Sequence, residues 1–226
     1  MTVIVLIPAY NEAQRIAATV QAAASIPGVT QVIVVDDGST DDTFRCAQAA
    51  GATVLAKRRN SGKGAALNLG LEAVTATLRH QDSAAIMLLD GDLGASATGA
   101  AALLEPILAG QADMTIGILP PPARKVGFGR VKQLAREAIR KYGDGFEASA
   151  PLSGQRAMTP QCLEAVTPFA AGFGVEAVMT IRALQAGLKV LELPIAVEHR
   201  ASGRDLAGLA HRTRQYLEVR KALSKL

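Results

Sequence analysis

Short runs of β-branched and aliphatic residues recur at positions 3–7, 31–35, 53–56 and 85–89, and longer Ala- and Leu-rich stretches separate them at 12–24, 41–50 and 65–78. Each short run is apolar at nearly every position rather than at alternate ones. That is the pattern of a strand covered on both faces, and the stretches between have helical length. The alternation predicts an α/β fold with a mostly parallel central sheet and helices on both sides. Later strands are expected at 113–118, 152–157 and 188–197, and helices at 129–141, 160–166, 175–186 and 206–223. The strand at 113–118 must stop by Leu119, because Pro120, Pro121 and Pro122 have no N–H to give a ladder. No internal repeat or linker interrupts the pattern, so residues 1–226 are expected to form one domain.

Composition removes several classes of function. Residues of the AVILMFWYC set make up 49% of the chain and charged residues only 19%, a balance that disordered chains do not have. The net charge of +4 is modest, Lys and Arg are scattered, and aromatics are 4% with no Trp. Neither a basic stripe nor a base-stacking platform is present in that pattern, so no nucleic-acid partner is expected. Cys46 and Cys162 stand far apart and outside any CxxC spacing, which argues against a disulfide scaffold or a structural zinc site. The apolar run at 3–7 has no basic residues before it and ends at Pro8, unlike a signal peptide. No uncharged apolar stretch approaches the roughly 18–20 residues that span a bilayer. A cytoplasmic location is the expectation.

In open α/β sheets, ligands bind beyond the carboxyl ends of the strands. The segments that follow the first four strands are Pro8-Ala9-Tyr10-Asn11-Glu12, Asp36-Asp37-Gly38-Ser39-Thr40, residues 57–64, and Asp90-Gly91-Asp92. All are polar and fall at one edge of the expected sheet. Two carboxylates one residue apart, with Gly91 between, suit Mg²⁺ or Mn²⁺ bridging to a diphosphate; the plainer reading is an Asp-Gly turn that caps a helix. Asp37 could accept hydrogen bonds from a base or ribose, while Ser39, Thr40 or Asp41 would cap the next helix whatever the function. Lys63, between Gly62 and Gly64 at a helix start, could meet a phosphate or be a solvated loop lysine. It is not part of a Walker A loop, since Lys57 stands where a glycine is required and Gly64 replaces the metal-ligating hydroxyl.

Three features of the second half could also carry chemistry. Arg124, Lys125, Arg130 and Lys132 place cations at the start of the helix expected from Gly129, the end where a helix dipole favours anions. An anionic ligand would explain them, and so would ordinary surface charge. Glu176 falls in the first turn of another helix, where an acid opposes the dipole favourably in any protein. His199 follows the last expected strand; a lone His is usually structural or solvated, though imidazole is a common metal ligand.

Taken together, these segments resemble glycosyltransferases of family 2. Pro8-Ala9-Tyr10-Asn11-Glu12, Val35-Asp36-Asp37-Gly38-Ser39-Thr40-Asp41, Gly62-Lys63-Gly64 and Asp90-Gly91-Asp92 occur in that family's order, over roughly residues 3–95. The resemblance implies the GT-A fold, a Rossmann-like nucleotide-diphospho-sugar transferase architecture, with residues 1–95 as the nucleotide-sugar half and 96–226 as the acceptor half. It implies that Pro8, Ala9, Tyr10 and Glu12 border the nucleoside, that Asp37 lies near base or ribose, and that Lys63 approaches the diphosphate. Asp90 and Gly91 would sit on the nucleoside side and Asp92 would ligate the metal.

The second half is similar to the glucosyl-3-phosphoglycerate synthases of glycosyltransferase family 81. The similarity is carried by Gly129-Arg130-Val131, Pro151-Leu152-Ser153-Gly154, Pro168-Phe169, Gly172-Phe173-Gly174-Val175-Glu176 and Glu198-His199-Arg200. It implies His199 as the second protein metal ligand, Gly129, Arg130 and Lys132 at the acceptor's phosphate or carboxylate, and Glu176 at an acceptor hydroxyl. Lys132 stands where those synthases carry Thr, and Asp37 completes a doublet where they tend to have Asp-Ser. The expected activity is therefore transfer of a sugar from a nucleotide-diphosphate sugar to an acceptor hydroxyl, with Lys63 assisting departure of the diphosphate. UDP is favoured through the resemblance alone. Glu176 would take the hydroxyl's proton in an inverting enzyme or position the acceptor in a retaining one.

Three other readings fit the same residues. A polyprenyl-phosphate sugar synthase would use the same donor half. Its membrane contact could come from the basic, helically periodic tail at 206–223, which could equally pack on the core or form a homodimer. A nucleotidylyltransferase would need its glycine-rich loop after the first strand, where this chain has Pro8-Ala9-Tyr10-Asn11-Glu12. A non-catalytic module would bind a nucleotide sugar without transferring it.

Overall fold

A computed structural model describes residues 2–78, 84–120 and 129–198. The amino-terminal half alternates β1 (Thr2–Ala9), α1 (Ile16–Ala24), β2 (Val29–Asp36), α2 (Thr43–Ala49), β3 (Thr53–Ala56), α3 (Lys63–Leu78) and β4 (Ala84–Leu88). Then come a 3₁₀ segment (Gly94–Leu103) running into α4 (Leu104–Leu108), β5 (Met114–Ile118), α5 (Gly129–Tyr142), β6 (Arg156–Met158), α6 (Pro160–Val166), α7 (Val175–Gln185) and β7 (Val190–Pro194). Among the described residues these strands form one sheet in the order β3-β2-β1-β4-β6-β5-β7. All neighbouring pairs are parallel except those of β6, which runs against both β4 and β5.

The continuous apolar runs have the expected cause. Side chains alternate faces along a strand, and here each face is covered. Val3, Val5, Ile7, Val32, Val34, Ala85 and Met87 join a cluster with Ile16, Val20 and Leu103. Their neighbours Ile4, Leu6, Ile33, Val35, Ile86 and Leu88 join another with Leu67, Val74, Leu163 and Met179. A third cluster packs Val131, Ala135 and Ile139 of α5 on Ala177, Val178 and Ile181 of α7.

Several boundaries differ from expectation. α1 starts at Ile16 rather than 12, because the N–H groups of Asn11, Glu12 and Ala13 are drawn to Ser39 Oγ, Thr43 Oγ1 and Asp41 Oδ2 of the neighbouring loop. The strand expected at 152–157 shrinks to Arg156–Met158: residues 151–152 turn, and the Gln155 side chain is drawn to Asp90 at the end of β4. β7 ends at Pro194, short of 197. The Ala- and Gly-rich segment 94–108, given no element from its pattern, is helical throughout, because it packs on the sheet beside α1. The helix expected at 206–223 lies outside the described residues. No helix among those described is long and apolar enough to cross a membrane.

Candidate active site

β1, β2 and β4 are neighbours, so their carboxyl ends deliver three loops to one place. Hydrogen bonds between the loops then fix them. The Asp37 N–H donates to the Ala9 carbonyl at 2.8 Å. Asn11, left-handed at φ 55°, accepts at its Oδ1 from the Thr40 N–H at 2.8 Å. Gly91 lies on the first loop: a Cβ there would sit 3.2 Å from Ala9 Cβ and 3.4 Å from the Pro8 carbonyl oxygen. Tyr10 is 44% exposed beside this turn. Pro8, Ala9, Tyr10 and Glu12 are thus held next to both the Asp37 and the Asp90 segments.

Asp37 is buried and faces its own chain. Its Oδ2 accepts the Gly62 N–H at 2.6 Å and the Ser61 N–H at 3.0 Å, and its Oδ1 pairs with Lys57 Nζ at 3.2 Å. These contacts hold the 57–62 loop, which feeds α3, against the end of β2. Gly38 is required for the close approach. It has φ 76°, and a Cβ would meet the Arg59 carbonyl carbon at 2.5 Å.

Lys63 opens α3 and turns inward. Its Nζ lies 2.6 Å from Asp90 Oδ1 and 2.8 Å from Glu176 Oε1. Burial works against the ammonium, but the charges of Asp90 and Glu176 outweigh it and hold the pKa well above the ordinary lysine range. Glu176, in the first turn of α7, is nearly buried. The ammonium expected at a diphosphate is therefore the centre of an acid–base–acid cluster that joins the two halves of the chain.

Antiparallel β6 completes the cluster. Arg156 pairs with Leu88, so the residues before β6 lie beside those after β4. Gln155 uses this to clamp Asp90 at two points: its Nε2 donates to Asp90 Oδ2 at 2.7 Å, and its Oε1 accepts the Asp90 N–H at 2.9 Å. Gly154 leaves room for the ion pair, since a Cβ would fall 2.5 Å from Lys63 Nζ and 2.6 Å from Asp90 Oδ1. Sequence reasoning missed Gln155. The available signal was a polar pair, Gln155-Arg156, inside an expected buried strand. Arg156 itself is fully buried; burial pushes its guanidinium down to about 10, opposed chiefly by the charge of Glu176.

Asp92 is placed differently from Asp90. Its carbonyl accepts from Arg15 Nη1 at 3.1 Å, while its carboxylate has no hydrogen bond or ion pair among the described residues. Thr19 Oγ1 donates to the Gly91 carbonyl at 2.9 Å and accepts the Gly94 N–H at 2.8 Å, which pins the backbone on both sides of Asp92. An uncommitted hard oxygen on a fixed turn fits a divalent cation. No group of three or more His, Cys, Asp or Glu gathers among the described residues. His199 lies outside them. The described chain runs up to it beside the helix that follows Asp92, with the Glu198 N–H donating to Ser96 Oγ at 3.0 Å.

Gly129 begins α5 and Lys132 is exposed on it; residues 121–128 and the Arg130 side chain lie outside the described part of the structure. Both cysteines are free thiols; burial, with Asp113 adding to it, pushes Cys162 up to about 12 and keeps it protonated.

A half-parallel, half-mixed sheet with an Asp-Gly-Asp turn at its carboxyl edge is the GT-A fold of glycosyltransferases. The chain belongs to glycosyl transferase family 2, whose profile matches residues 4–173. It is 32% identical over 206 residues to glycosyltransferase AglJ of Haloferax volcanii, covering 90% of this chain and 65% of that protein. It is 32% identical over 194 residues to glucosyl-3-phosphoglycerate synthase of Mycolicibacterium smegmatis, covering 77% of this chain and 61% of that one. The chain thus spans somewhat under two thirds of the length of these two relatives. The crystal structure of glucosyl-3-phosphoglycerate synthase from Mycobacterium tuberculosis with Mn²⁺, UDP-glucose and phosphoglyceric acid superposes with a TM-score of 0.74 at 27% identity, over 99% of this chain and 80% of that one.

Proposed function

We propose that this chain is a divalent-metal-dependent glycosyltransferase that moves a sugar from a UDP-sugar to a hydroxyl of a small phosphorylated acceptor, 3-phosphoglycerate being the first candidate. The observation that carries the reading is the Lys63 cluster. One ammonium holds a carboxylate from each half, Asp90 and Glu176, and Asp90 stands two residues before Asp92, whose carboxylate has no hydrogen bond or ion pair among the described residues. The ligands of the Mycobacterium tuberculosis synthase support the donor, metal and acceptor classes.

In this reading residues 1–95 bind the donor and 96–226 the acceptor, within one domain. Pro8, Ala9, Tyr10 and Glu12 border the nucleoside. Asp37 holds the 57–62 loop in register and presents its remaining acceptor capacity toward base or ribose. Asp92 and His199 hold the cation, and the imidazole makes Mn²⁺ as suitable as Mg²⁺. When bound, the cation neutralises the charge that grows on the departing diphosphate. Lys63 supplies a second, fixed positive charge on the same side, at no reorganisation cost during the reaction. Glu176, oriented by Lys63, accepts a hydrogen bond from a sugar or acceptor hydroxyl and sets its direction. With an ammonium 2.8 Å from its Oε1, orientation is a better use of this carboxylate than free proton abstraction. Gly129, Arg130 and Lys132 at the start of α5 meet the acceptor's anionic group, where the helix dipole adds to their charge.

The test is nucleoside diphosphate release from a panel of nucleotide sugars with Mn²⁺ or Mg²⁺, with and without 3-phosphoglycerate. Metal-dependent release from a UDP-sugar, stimulated by phosphoglycerate and abolished in Asp92→Ala, is the expected result. Release without stimulation would keep the transferase and move the acceptor to polyprenyl phosphate. Nucleotide binding with no release from any donor would overturn transfer in favour of a binding module.

A further inference from the structure

A buried guanidinium with no carboxylate in contact is costly unless something else uses it. Arg156 is such a group. It is fully buried and, among the described residues, pairs with no acid, and its Nη2 has no hydrogen-bond partner. Its other bonds reach three separate pieces of the molecule. Nε donates to the Ser153 carbonyl at 2.9 Å, and Nη1 donates to Thr180 Oγ1 at 2.9 Å and lies 3.3 Å from Met114 Sδ.

Both hydrogen-bonded ends lead to the ion-pair cluster. Ser153 directly precedes Gly154, whose missing side chain admits Lys63, and Gln155, which clamps Asp90. Thr180 lies one helical turn after Glu176, and its hydroxyl donates to the Glu176 carbonyl at 3.1 Å. The path therefore runs from the Ser153 carbonyl through Arg156 and Thr180 to the backbone of Glu176. A lysine could not span it, because a single ammonium lacks the fixed fork of a guanidinium.

We propose that Arg156 is a positioning residue of the active site, tying the Ser153–Gln155 wall to the first turns of α7 so that Glu176 and Asp90 meet Lys63 at a set distance. The inference rests on the glycosyltransferase reading for its kinetic consequence, but the geometry it predicts is independent of that reading. Thr180 is the second half of the tie. Its removal breaks the link at α7 while leaving the buried charge in place.

The experiment compares Arg156→Met, Arg156→Lys, Thr180→Val and Thr180→Ser with the wild type. Turnover, KM for the UDP-sugar, and UDP affinity in the presence of Mn²⁺ are read separately. Misplacement of a catalytic group by about 1 Å can cost on the order of a hundredfold in rate. Thr180→Val and Arg156→Met are thus expected to lose at least about tenfold in kcat, with KM and UDP affinity within about threefold of wild type. Arg156→Lys should not recover the loss, Thr180→Ser should, and Arg156→Met/Thr180→Val should be no worse than Arg156→Met alone. Unchanged turnover in Thr180→Val, multiplicative losses in the double variant, or equal weakening of UDP binding would each overturn the proposal. If Arg156→Met does not fold, the Thr180→Val and Thr180→Ser pair gives the same decision. A wild type that transfers from no donor defeats the transferase reading instead. A crystal structure of Thr180→Val then decides: Glu176 drawn away from Lys63 supports the tie, and an unchanged 2.8 Å pair refutes it.

Discussion

Gly154 shows how much of this site depends on the absence of an atom. Its Cα stands where any side chain would touch Lys63 Nζ and both oxygens of Asp90. The atoms in the way are the ends of side chains, which can move, so Gly154→Ala should fold with nearly the wild-type unfolding midpoint. Turnover should fall by up to about a hundredfold, because the ion pair must shift; normal turnover would show that the pair does not take part. Lys63 gives a second prediction at this scale. Its pKa is raised, so the stability it contributes is complete below the ordinary lysine value and is lost only as pH rises through the higher folded value. Between pH 6 and 9, about the usual assay range, Lys63 should stay charged and impose no alkaline limb on the rate. An alkaline limb there that disappears in Lys63→Met would contradict the assignment.

At the scale of the elements, α3 is placed by its first turn and by the residue one turn later. Gly64 in its first turn faces the 168–171 segment so closely that a Cβ would overlap the Ala170 carbonyl oxygen. Asn68, one turn later, accepts the Phe169 N–H at 2.8 Å and donates to the Phe169 carbonyl at 2.9 Å. Replacing Gly64 with Ala would gain about 1 kcal/mol in helix propensity. The clash is with backbone, which cannot swing away, and should outweigh that gain. Gly64→Ala is expected to destabilise by about 2–3 kcal/mol net, read in chemical denaturation; a more stable variant would mean that the 168–171 segment does not bind α3. The helices whose periodicity met a clear stop were legible. α6, with Thr159 capping and Pro160 in its first turn, runs over Pro160–Val166 as expected. β6 was not, because its short length is set by what Gln155 and Arg156 do for neighbours distant in sequence.

For the whole molecule, donor and metal bind a surface built from loops of several elements, so binding should stabilise all of it together. At about a hundred times Kd, UDP with Mn²⁺ should add about 2.7 kcal/mol. For a chain of this size that raises the thermal midpoint by about 5–10 °C. Excess EDTA should remove most of the gain, and Asp92→Ala should show little of it. A full UDP-induced shift in the presence of EDTA would mean that the cation is not part of donor binding.

The strands and the location of the site were legible from local chemistry. Strands buried on both faces must be apolar at successive positions, and an open α/β sheet must bind at its carboxyl edge, so the Pro8, Asp37, Lys63 and Asp90 segments could be assigned to one place before any contact was known. The partners of those residues could not. Lys63 meets Asp90 across 27 residues and Glu176 across 113, and Gln155 clamps Asp90 across 65. Nothing local to Lys63 distinguishes a solvated lysine from one held between two acids. That choice was made by β6 running antiparallel beside β4 and by the first turn of α7 bringing Glu176 to Lys63, contacts that exist only once the sheet has assembled.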